Sequence, residues 1–80
     1  MTILETIKSL LSEIVTVEVS ETITESTHFA NDLNIDSLDV VEFTMALEER
    51  YDIAIEDEEA KSLHTVGDVI TYLRDKHGVE

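Results

Sequence analysis

The stretch SLDVVEFTMALEERY, residues 37–51, decides the fold, because it has the length of a helix and contains neither glycine nor proline. On a helical wheel with about 100° per residue, the apolar residues on one side form a stripe that is predicted to face the core. Asp36, just before the stretch, suits the N-cap position because its carboxylate can accept N–H groups of the first turn. The core-facing side chains are Val40, Phe43, Thr44, Leu47 and Tyr51.

The opposite side of the same helix carries a second apolar stripe, formed by Leu38, Val41 and Met45. A helix in a bundle of 80 residues cannot bury both sides, so we expect this stripe to stay exposed. An exposed apolar strip bordered by charge is typical of a partner-binding surface, and the flexible Met45 thioether suits that role. The alternative is that Leu38 and Val41 tuck under the preceding loop. The interleaved acids are Glu42, Glu48 and Glu49.

Outward from this helix, apolar periodicity and capping signals predict three more helical segments. They are a first helix over residues 2–16, a short helical turn over 57–62 and a last helix that opens at residue 65 and frays after 76. Residues 17–36 offer no convincing pair of strands and are predicted to form a long ordered loop. We therefore predict an all-α fold in a single domain, residues 1–80: a small four-helix bundle of three main helices plus one short helix. The capping boxes pair Thr2 with Glu5 and Thr65 with Asp68.

The charge balance narrows the class of partner. Nineteen acidic residues face five lysines and arginines, for a net charge of −14. Such a surface repels nucleic acid and attracts proteins with basic patches. The chain has no cysteine, no apolar run of about 20 residues and no signal-peptide pattern. We expect a monomeric cytoplasmic protein without a membrane span.

Ser37, at the start of the central helix, admits several interpretations, of which a calcium loop is the first. Such a loop starting at Asp32 would require glycine where the chain has Ser37 and glutamate where it has Phe43. Both requirements fail, so we assign no metal site.

A catalytic serine is the second interpretation. It needs a base within hydrogen-bond reach, but none of His28, His64 and His77 forms a recognisable motif with Ser37. We therefore assign no catalytic residue, and we expect His28 and His64 to lie in loops or at the edge of the core. A plain helix start and a covalent attachment point remain. A phosphate ester at a helix N-terminus would meet free N–H groups and the positive end of the helix dipole.

The segment DSLDVVEFTMALEERYDIAIEDEEA, residues 36–60, resembles the acyl carrier proteins. DSL, at residues 36–38, is similar to the family's phosphopantetheine attachment motif. MALEE, at 45–49, and DEEA, at 57–60, are similar to its next most characteristic stretches. The resemblance extends from the first helix to Leu73. Asn34 stands where the family usually has glycine, and Glu56 where it often has proline.

The resemblance implies a carrier rather than an enzyme. Ser37 would hold 4′-phosphopantetheine taken from coenzyme A, flanked by Asp36 and Leu38, and the thiol of this arm would carry acyl groups as thioesters in fatty-acid or related biosynthesis. The implied partners are a phosphopantetheinyl transferase and acyl-transferring and chain-elongating enzymes with basic patches. An aminoacyl carrier and a non-covalent acidic adaptor stay open as alternatives. The implied recognition surface is Asp36, Leu38, Asp39, Val41, Glu42, Met45, Glu48 and Glu49.

Overall fold

The computed structural model describes residues 2–79, apart from the side chain of Val17. Within this range no β-strand forms, and an isolated antiparallel bridge joins His28 to Thr65. None of the helices described is both long and apolar enough to cross a membrane. The predicted small all-α bundle is confirmed. Its helices are α1 (Ile3–Leu11), α2 (Val17–Glu21), α3 (Ser37–Tyr51), α4 (Asp57–Lys61) and α5 (Val66–His77).

The segment between the first and central helices differs from the prediction at its start. Helix α1 ends at Leu11 rather than near residue 16, and the five-residue helix α2 occupies the beginning of the predicted loop. The Thr16 hydroxyl accepts the Val19 N–H at 3.2 Å and so caps α2. A single capped turn rich in β-branched residues has no apolar periodicity to reveal it.

The predicted N-cap residues are present at the starts of α1 and α5, and the full capping box is recorded at α5. Thr2 accepts the Glu5 N–H at 3.1 Å at the start of α1. At the start of α5, Thr65 and Asp68 form a reciprocal capping box. The Asp68 carboxylate also accepts the backbone N–H of His64 at 3.1 Å, and this hydrogen bond is the main cause that lowers the pKa of Asp68.

The core lies between α1, α3 and α5, because α1 packs against both of the other long helices. The loop after α2 belongs to this core, since its apolar side chains point inward. The Phe29 ring lies 5.6 Å from the Phe43 ring between centroids. The fully buried side chains include Ile7, Leu11, Phe43, Leu47, Val66, Val69 and Leu73, and the buried loop side chains are Ile23, Phe29, Leu33 and Ile35.

Candidate functional site

The start of α3 is held by two aspartates. The Asp36 carboxylate accepts the Asp39 N–H at 3.0 Å, and the Asp39 carboxylate accepts the Asp36 N–H at 3.4 Å. Two residues before Asp36, Asn34 adopts a left-handed conformation with φ of 54°. Asparagine tolerates this conformation better than most residues. The turn that leads into α3 therefore forms without glycine.

Ser37 is the first residue of α3, and its side chain is exposed. Its hydroxyl forms no hydrogen bond with any other residue that the structure describes. The predicted N-cap is confirmed at Asp36, so Ser37 does not cap the helix. Within residues 2–79 the N–H groups of Ser37 and Leu38 also meet no acceptor. The site thus presents a free hydroxyl beside two free N–H donors at the positive end of the α3 dipole, a setting that suits a phosphate ester.

The second stripe of α3 is exposed as predicted. Leu38 is 73% exposed, Val41 46% and Met45 56%, and these are the large hydrophobic side chains that the described part of the chain leaves exposed. The alternative in which Leu38 and Val41 tuck under the loop is therefore wrong. The docking role of this stripe stays a prediction.

The acids around this stripe have different surroundings. Glu42 and Glu49 are exposed and form no hydrogen bonds with other described residues. Glu48 is half-buried, and its Oε2 accepts the N–H of Ile55 at 3.0 Å across the turn between α3 and α4. One oxygen of Glu48 thus stabilises the fold, which the sequence pattern alone did not show.

A cleft of about 540 Å³ opens beside Ser37. It lies between α3, α4 and the loop around residue 29, and its size is within the usual range for small-molecule sites. Ser37 forms part of its wall, so a group attached there has access to the cleft. Its apolar wall is formed by Phe29, Ala30, Leu38, Val40, Val41, Ala60 and Leu63, and its polar wall by His28, Ser37, Thr44, Asp57, Lys61 and His64.

The sequence pattern missed the basic residues of this cleft. The rings of His28 and His64 stack with centroids 6.1 Å apart and planes 10° apart. They stand 36 positions apart in the chain, so no local pattern brings them together. The expected loop and core-edge positions are correct for both, but the structure adds that they share one cleft with Lys61.

The Ser37 hydroxyl has no base paired with it among the residues that the structure describes. Neither histidine of the cleft forms a hydrogen bond with the Ser37 hydroxyl within the described chain, and a serine nucleophile requires such a base. Across residues 2–79 no group of three or more potential ligands comes together to hold a metal ion. A family model described as the phosphopantetheine attachment site matches residues 5–73.

Proposed function

Because this chain belongs to the phosphopantetheine attachment site family, whose members are carriers that hold 4′-phosphopantetheine covalently, we propose that it is an acyl carrier protein. It carries acyl intermediates of fatty-acid or related lipid and polyketide biosynthesis in the cytoplasm. The observation that carries this proposal is the free, exposed hydroxyl of Ser37 beside a cleft that has an apolar wall.

Ser37 is the proposed attachment residue. Its oxygen displaces adenosine bisphosphate from coenzyme A, and the hydroxyl proton leaves to a base of the transferase. The two free N–H groups of Ser37 and Leu38 and the α3 dipole favour the resulting phosphodiester. Asp36 and Asp39 hold this end of the helix in place through their reciprocal hydrogen bonds.

The exposed stripe of α3 is the proposed docking surface for the transferase and for the acyl-transferring enzymes. Leu38, Val41 and Met45 supply apolar contact, while Glu42 and Glu49 are free to meet basic patches. Attraction over several ångströms speeds encounter, whereas exposed ion pairs contribute only about 0–1 kcal/mol each. Docking is therefore fast and transient, as a carrier that serves several enzymes requires.

The decisive experiment is intact mass spectrometry after incubation with coenzyme A and a broad-specificity phosphopantetheinyl transferase. The protein gains the mass of one phosphopantetheine group, Ser37→Ala gains none, and Ser9→Ala, which alters another exposed serine, gains the same mass as the unmodified chain. An unchanged mass in the presence of a transferase active on a control carrier contradicts the proposal and favours the non-covalent adaptor.

The cargo class is tested on the modified protein. Ligases that load fatty acyl groups and ligases that load amino acids are offered separately, and the loaded mass is recorded. We expect loading with fatty or related acyl groups. Exclusive loading with amino acids would assign the chain to the aminoacyl carriers instead.

A further inference from the structure

The cleft beside Ser37 contains several basic side chains, although the protein as a whole is acidic. The chain has five lysines and arginines and three histidines against nineteen acids. Three of these eight basic groups line the cleft, namely His28, Lys61 and His64, together with a single acid, Asp57. With both histidines neutral, Lys61 and Asp57 balance, so the cleft lacks the excess of negative charge that the molecule as a whole carries.

The hydrogen bonds of His28 determine which nitrogen of its ring can bind a ligand. Its Nδ1 lies 3.2 Å from the backbone N–H of Asn31 and accepts it. The neutral ring must then carry its proton on Nε2. This Nε2–H has no hydrogen-bond partner among the residues described. The His28 ring, which stacks with His64 in the wall of the cleft, therefore offers a free donor.

The acids near this pair are already engaged. Asp32 accepts the backbone N–H of His28 at 2.7 Å, and Asp68 accepts those of His64 and Thr65, each at 3.1 Å. Within residues 2–79, Lys61 forms no salt bridge with a carboxylate. The cleft thus offers an ammonium group and an imidazole donor that no described acid neutralises by direct contact.

We infer, on the basis of the proposed carrier function, that this cleft prefers acyl groups whose far end bears a carboxylate. The methylene chain lies along the apolar wall of Phe29, Val40 and Leu63, and the terminal carboxylate accepts hydrogen bonds from His28, His64 and Lys61. Hydrogen bonds to a charged group are stronger than those between neutral groups. A purely apolar chain makes none of these hydrogen bonds and gains only the contact with the apolar wall.

The test compares three cargoes of matched length on the phosphopantetheine arm: suberyl, its monomethyl ester and octanoyl. Dilute hydroxylamine cleaves the thioesters, and mass spectrometry measures the rate of cleavage for each cargo. Each rate is then divided by the rate for the same cargo on free pantetheine. The suberyl thioester is cleaved about tenfold more slowly than the other two, as expected for a hydrogen-bonded carboxylate. Nuclear Overhauser contacts link its terminal methylene to the rings of His28 and His64 and not to His77.

Variants identify the groups responsible. His28→Asn keeps an acceptor for the Asn31 N–H and removes the Nε2 donor, while Lys61→Gln removes the ammonium group. The combination of both removes most of the preference for suberyl, with His64 as the remaining donor, and His77→Gln, outside the cleft, leaves the preference intact. If the three cargoes on the unmutated protein are protected equally from hydroxylamine, the inference is wrong. This comparison needs no variant, so it tests the inference even where a variant fails to fold. Failure of the carrier proposal is distinct, because the arm itself is then never installed.

Discussion

The backbone N–H of Gly67 donates to the carbonyl oxygen of Glu25 at 2.7 Å, and a Cβ atom at position 67 would lie only 2.9 Å from that oxygen. The adjacent Val66 N–H donates to the Thr27 carbonyl at 3.0 Å. These two bonds hold the loop against the first turn of α5. The loop in turn places His28 and Phe29 in the wall of the cleft.

Gly67→Ala is expected to destabilise the protein, although alanine is the better helix former by about 0.8–1 kcal/mol. The new methyl group displaces the Glu25 carbonyl, and overpacking of this kind costs about 1–3 kcal/mol. Urea unfolding measures the change, with Thr71→Ala on the exposed side of α5 as the control. A Gly67→Ala protein at least as stable as the original would show that the loop moves aside without cost.

Glu48 is expected to behave differently from the neighbouring Glu49. Glu48→Ala leaves the partly buried N–H of Ile55 without its acceptor and lowers the free energy of unfolding by about 1–3 kcal/mol. Glu49→Ala removes the same negative charge without breaking a hydrogen bond. Its change in the free energy of unfolding therefore reports only the reduced repulsion among the acidic side chains. Glu48→Gln keeps an acceptor oxygen and should recover part of the loss. Equal stability of both alanine variants would contradict the assigned role.

Because the pKa of Tyr72 is raised, we expect the protein to lose stability at alkaline pH. Burial is the main cause that raises its pKa to about 12 from the ordinary 10.0, followed by the hydrogen bond to Glu59. The hydroxyl donates to Glu59 Oε1 at 3.1 Å, so His77 Nε2, also 3.1 Å away, donates to the phenol oxygen. Because the folded protein retains the phenol proton more strongly, this stabilisation is complete below about pH 10 and is lost as pH rises toward 12.

The comparison with Tyr72→Phe checks this prediction. Below pH 10 the variant is less stable by about 0.5–1.5 kcal/mol, the usual value of one hydrogen bond. Above pH 10 the difference shrinks, and the absorbance of tyrosinate, recorded as original minus variant, rises with a midpoint near pH 12. A stability difference that stays constant from neutral to strongly alkaline pH would contradict the assignment.

Substitutions in the exposed stripe of α3 are expected to weaken docking to partner enzymes without lowering the stability of the fold. Leu38→Ser and Met45→Ser change side chains that are 73% and 56% exposed, so the melting temperature stays close to that of the original. Each weakens binding to the transferase about tenfold, as truncation of a central interface contact does. Surface plasmon resonance with the immobilised transferase measures the change.

The acids beside the stripe control the rate of association. Glu42→Gln slows association with the transferase, and added salt slows it further for the unmutated protein. Glu13→Gln, an equal change of charge just after α1, has a smaller effect because Glu13 is not part of the proposed docking surface. If the rate of association with the transferase does not change with ionic strength, these acids do not steer the encounter.

The sequence by itself determined the features that depend on neighbours within a few residues. The periodicity of α3 separated the buried side of Phe43 and Leu47 from the exposed side of Leu38 and Met45. The Asp36 cap and the Thr65 and Asp68 capping box were readable for the same reason, because a cap and its helix are three residues apart.

Only the tertiary structure decided the contacts between distant segments. The stacking of His28 on His64 and the close approach of Gly67 to Glu25 arise from the docking of the loop against the segment that opens α5. The hydrogen bond from the Ile55 N–H to Glu48 spans only seven positions, but it depends on how the chain turns from α3 toward α4. Helix α2 also escaped prediction, since one short turn depends on its cap and on its packing against α1. Local side-chain patterns specify which face of a helix turns inward, whereas the shape and charge of a cleft depend on which segments finally meet.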